Sequence, residues 1–141
     1  MTTIAALFIF LASSLSAQGP SGVTIKDYSR WEWQVPGSLP PGAEFHLIFE
    51  NKITHAVQLL VRYPSGYSLP SHSHSHNEVV VVVKGKLEIE SLGERITLGP
   101  GGYAFLPAGT VHGMRAKGWG KCVFTVSLDG PFDVKNIPAA H

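Results

Sequence analysis

The stretch GYSLPSHSHSHNE, residues 66–78, gathers more metal-ligating side chains than any other part of the 141-residue chain. His72, His74, His76 and Glu78 share one parity, and on an extended chain alternate side chains point to the same face. His72 and His74 with Glu78 therefore converge from one short segment. Two imidazoles and a carboxylate form a mixed nitrogen and oxygen set that suits a borderline or moderately hard divalent ion. Parity alone leaves His76 in contention for the same set. A histidine-rich tract by itself reads equally as a polar loop, so a metal site here needs a further ligand from elsewhere in the fold.

Little other chemistry competes. The sequence has no G-x-S-x-G elbow, no G-x-x-x-x-G-K phosphate loop and no paired-cysteine zinc pattern. The single Cys122 alternates with Phe124 and Val126 in KCVFTVSL and reads as a buried, unreactive thiol. His46 and His55 have no ligand spacing around them, and His141 is terminal. Eleven lysines and arginines against ten acids, with no basic run, ask for neither nucleic acid nor a membrane surface as partner. Residues 2–17 carry no charge, and their apolar stretch from Ile4 to Leu11 is too short to span a bilayer. They read as a signal peptide over 1–17, cut after Ala17, with a periplasmic or secreted protein as the consequence.

The elements that must position these residues are strands. Apolar residues are 44% and charged residues 15%, with 15 Gly and 10 Pro, the profile of a turn-rich β protein. In the extension over 18–42, SRWEWQV alternates and predicts a short strand with Trp31 and Trp33 on one side, covering a core edge or lining a pocket. A domain over 43–137 follows. EFHLIFEN and THAVQLLVRYP read as strands, and so do 78–83, 86–91, 95–98, 103–106, 121–128 and 132–134, with no amphipathic helix between them. Many short strands at close spacing predict an all-β sandwich or barrel. Five consecutive valines, 79–83, put apolar side chains on both faces of one strand; a second sheet or a partner subunit must cover the outer face, which makes a homodimer the expected assembly.

The spacing G-x5-H-x-H-x3-E-x6-G is met at Gly66, His72, His74, Glu78 and Gly85, and G-x5-P-x-G-x2-H at Gly101, Pro107, Gly109 and His112. Together these two motifs resemble those of the cupin superfamily, directly over 66–116. LPPGAEFHLIF, LPAGTVH and DGPFDV further resemble a group of small single-domain cupins. Ala116 departs from the second motif, where the family has Asn. The resemblance implies a double-stranded β-helix, or jelly roll, with a divalent metal on His72, His74, Glu78 and His112. It assigns His74 rather than His76 to the pair ending at Glu78. It favours Fe2+ or Mn2+, with Zn2+, Ni2+ or Cu2+ able to use the same ligands. Two functions follow as expectations. One is a metal-dependent enzyme, oxygenase-like, acting on a small organic molecule; the other is a non-catalytic small-ligand binder whose metal anchors the ligand or stabilises the barrel.

Overall fold

The computed structural model of the protein describes residues 22–137; the signal peptide expected over 1–17 and His141 lie outside them. Ten strands follow in chain order: β1 (Glu44–Glu50), β2 (Val57–Tyr63), β3 (Ser68–Ser73), β4 (Glu78–Lys84), β5 (Lys86–Ser91), β6 (Glu94–Leu98), β7 (Tyr103–Leu106), β8 (His112–Lys117), β9 (Cys122–Leu128) and β10 (Lys135–Asn136). They form two five-stranded sheets, β1-β2-β9-β4-β7 and β10-β3-β8-β5-β6. Every pairing in both is antiparallel. The protein is the expected all-β jelly roll.

Period-two alternation makes the core. Val57, Leu59, Val61 and Tyr63 of β2, Val80 and Val82 of β4, and Phe124, Val126 and Leu128 of β9 are buried in one cluster with Leu87, Ile89, Met114 and Ala116 of the facing sheet. Of the five valines, Val80 and Val82 take the core while Val83 is 49% exposed. Tight turns join the strands. Gly85, between β4 and β5, has φ +81, and a Cβ there would lie 2.9 Å from the Lys121 carbonyl oxygen, so only glycine fits without a shift.

Three expectations about elements need correction. The segment SRWEWQV is not a strand: a 3-10 turn occupies Tyr28–Arg30, and the one pairing nearby is an isolated bridge of Gln34 with Phe45. Its alternating aromatics cluster instead. Trp31 lies edge-on to Trp33 and stacks on His46, and the Arg62 guanidinium sits 4.0 Å over the Trp33 ring, so ring packing and a cation–π contact take the place of a ladder. The final strand lies at Lys135–Asn136 rather than over 132–134. Two strands lie outside the expected set: β3, within the histidine-rich stretch, and β8, which begins at His112 and is polar and glycine-containing.

Candidate metal centre

His72 and His112 are directly paired across β3 and β8. A register irregularity between Leu69 and His72 precedes the pair, and such a bulge re-aims the side chains beyond it. His74 follows the end of β3. Glu78 opens β4 in the opposite sheet, paired with Leu106 and Leu128. The expectation that His72, His74 and Glu78 share one strand face is therefore corrected. Residues 74–77 form a loop that carries the chain from one sheet to the other, and the side chains converge across the sandwich.

The four side chains are buried, His72 and His112 to 1% exposure, Glu78 to 2% and His74 to 5%. His72, His74 and His112 each present a ligand atom, all within 4.8 Å of one another. Glu78 Oε2 lies 3.1 Å from His112 Nε2 and 3.4 Å from His74 Nε2, yet none of these three atoms has a hydrogen-bond partner. Leaving a buried polar atom unsatisfied costs roughly 1–3 kcal/mol, and the three facing atoms stand where a single cation could satisfy them together.

The other edge of each imidazole is satisfied. His72 Nδ1 donates to the Pro70 carbonyl at 2.8 Å, His112 Nδ1 to that of Thr110 at 3.0 Å, and His74 Nδ1 to that of Asp133. This fixes the tautomer with the proton on Nδ1 and turns the lone pair on Nε2 inward, the arrangement that metal-binding histidines adopt. Burial, with the His112 ring nearby, lowers the His72 pKa to about 4, which keeps it a neutral donor. Burial alone would raise the Glu78 pKa; the surrounding His112, His74 and His72 outweigh it and hold the carboxyl below its usual range. Three buried histidines can hold a metal ion here.

His76 does not join them. Its ring lies against Gly130, where any side chain would collide with it, and its Nδ1 is 3.7 Å from Asp129. Two further polar side chains are engaged elsewhere: Tyr67 donates its hydroxyl to the Pro40 carbonyl and Arg62 pairs with Glu44 at 2.7 Å.

The residues that hold the ligand loop were not evident beforehand. Asp133 accepts from both the amide and the hydroxyl of Ser75. Asp129 accepts from the amide and side chain of Asn77, whose Oδ1 accepts from the Ala108 amide at 3.0 Å. The Gly109 amide donates to the His74 carbonyl at 2.9 Å. The DGPFDV segment held this signal, but its partners lie more than 50 residues away.

Residues 59–128 match the family model of the cupin domain. This is a cupin-domain protein. The likenesses agree with that assignment. The DNA damage-repair/toleration protein DRT102 of Arabidopsis thaliana is 33% identical over 101 residues, 70% of this cupin chain, which spans 31% of that relative's length. KdgF from Halomonas sp. superposes with a TM-score of 0.64 at 23% identity, over 76% of this chain and 94% of that one. The polyketide cyclase RemF from Streptomyces resistomycificus superposes with a TM-score of 0.70 at 17% identity, over 84% and 88% of the two chains. At such identities the structural likenesses speak for the fold alone.

Proposed function

We propose that this cupin binds one divalent metal ion through His72, His74, Glu78 and His112 and is a metal-dependent enzyme acting on a small organic molecule. The observation that carries the reading is the inward group of unpartnered buried atoms on His74, Glu78 and His112, in rings whose outer nitrogens are already tied to carbonyls. Three nitrogens and one oxygen suit Fe2+ or Mn2+, and Zn2+, Ni2+ or Cu2+ can occupy the same donors. When bound, such an ion polarises a substrate oxygen or provides a redox centre. The chain's own contribution is to fix the tautomers, to supply one negative charge from Glu78 and to surround the group with apolar core. RemF, a polyketide cyclase, supports the idea that a barrel of this shape hosts enzymes, although function resides in the site and not in the fold. With the leader over 1–17, the site belongs to a periplasmic or secreted protein.

One observation favours a binder instead. Besides the four proposed ligands, Ser73 is the one other residue of the polar and charged types buried among those described, and burial raises the pKa of the enclosed phenols Tyr63 and Tyr67 and of the Cys122 thiol, so no carboxylate, imidazole or amine beyond the ligands is enclosed with them. Elemental analysis of the mildly purified full chain tests the metal. Near one ion per chain, lost in His74→Ala and Glu78→Ala, is expected; a metal-free wild type that takes up none of these ions sinks the reading. Recovery of a bound small molecule decides between the functions. Chemical change that depends on His112 indicates the enzyme, and return of the molecule unaltered indicates the binder.

A further inference from the structure

The inward face of the second sheet is uncovered on one side. In β6 the inward positions are Glu94, Ile96 and Leu98, opposite Ser91, Ile89 and Leu87 of β5. Leu87 and Ile89 are buried, yet Ile96 beside them is 57% exposed. The cause is topological. β6 and β7 are the edges of different sheets and do not pair with each other. A cavity of about 500 Å³ opens there, and its walls include Ile89, Ile96, Leu98, Ala104 and Leu106, which places it within the size range of small-molecule sites.

None of the four proposed ligands lines this cavity, but direct neighbours of two of them do. Its lining includes Leu106, Ser91 and Thr110. Leu106 is the strand partner of Glu78, Ser91 that of His112, and the Thr110 carbonyl accepts the His112 Nδ1 proton. Paired strands lie about 5 Å apart, so the cavity wall is one strand removed from two of the proposed ligands. Its charge is as informative as its position. Among the described residues that line it there is no lysine, arginine or histidine, and Glu94 is the one carboxylate. An anionic molecule would find no cation to receive it and one like charge at the rim.

We propose that this cavity receives the molecule on which the metal centre acts, and that the molecule is compact, largely apolar and neutral or cationic rather than anionic. The inference rests on the metal reading above, and its test keeps the two separate. Three probes with one ring system, 2-naphthol, 2-naphthylmethylammonium and 2-naphthoate, are titrated into the full chain and followed by calorimetry and by the methyl resonances of Ile89 and Ile96. The neutral and cationic probes are expected to bind and to shift both residues, with naphthoate about fivefold weaker, the size of a like-charge effect at a solvated rim.

Glu94→Gln should bring naphthoate within about twofold of naphthol, and Ile96→Arg, at an exposed position, should invert the preference. Ala104→Trp should abolish naphthol binding while leaving metal content unchanged. In the Mn2+-loaded chain, bound naphthol protons should relax faster than with the metal-free chain. Naphthoate binding as tightly as naphthol, methyl shifts away from Ile89 and Ile96, or no relaxation effect of bound Mn2+ would each overturn the proposal. Metal content of the same samples separates the claims: a metal-loaded chain that binds no probe defeats this inference, whereas a chain that binds naphthol but no metal defeats the metal reading.

Discussion

Asp133 acts on the proposed centre twice, through its backbone carbonyl on His74 Nδ1 and through its carboxylate on Ser75. Removing the carboxylate leaves the four proposed ligands intact but loosens the loop that aims His74. Outer partners of metal-bound histidines carry tenfold to hundredfold effects on affinity, so Asp133→Ala is expected to weaken metal binding about tenfold, read by competition with a chelator. Wild-type affinity would mean that the loop holds its shape without that side chain. The buried cluster that could hold a metal was legible in the sequence because His72 and His74 are neighbours in it, with Glu78 close behind. Asp133 and Asp129 were not, because nothing local marks a carboxylate whose partner is more than 50 positions away. Cys122 and Tyr67 carry a prediction about pH. Burial raises the thiol from 9.0 to about 11 and the phenol from 10.0 to about 12. Each folded value lies above the unfolded one, so the stability these groups contribute is complete below pH 9.0 and is lost as pH rises through about 11 and 12. Urea midpoints should fall between pH 9 and 11, and Cys122→Ala should flatten the first part of that decline.

Elements were readable where their alternation was apolar and obscure where it was polar. β2, β4 and β9 bury every second side chain, and hydrophobic period two exposes such strands directly. β3 and β8 pair with each other and bury histidines, so the pattern lacks the usual apolar contrast; the register irregularity after Leu69 blurs it further. The opposite error arose at Trp31 and Trp33, where alternation reflects an aromatic cluster with His46 and Arg62 rather than a ladder. Glycine turns give a direct test of which elements set the frame. Gly85 and Gly66 both have positive φ, but an added Cβ at Gly85 meets the Lys121 oxygen at 2.9 Å and the Cys122 Cα at 3.1 Å, while at Gly66 nothing lies within 4 Å. Gly66→Ala should cost about 1 kcal/mol, from conformation alone. Gly85→Ala adds a backbone collision and should cost about 2–4 kcal/mol. Equal costs in urea unfolding would show that the β4–β5 turn can shift freely.

At the scale of the whole molecule, one strip of the apolar surface left outside the core runs along β4 and β7. Val79 pairs with Phe105 and Val81 with Tyr103 on the outer face of the first sheet. Phe105 is 57% exposed, Tyr103 71% and Val83 49%. These side chains form a strip without a charged residue among them, on the face opposite the inward Ala104 and Leu106. The valine run predicted two covered faces, and within one chain the core covers one of them. We propose that a second copy of the chain covers the other. A two-fold axis brings identical patches together, and a strip of cross-strand apolar pairs can pack on its own copy without burying a charge. Light scattering on the eluted full chain should give the mass of two chains at micromolar concentration. Val81→Glu, placed at the middle of the strip beside Tyr103, should give the mass of one while keeping the wild-type metal content. A wild type that elutes as a single chain would return the strip to solvent and end the case for a dimer.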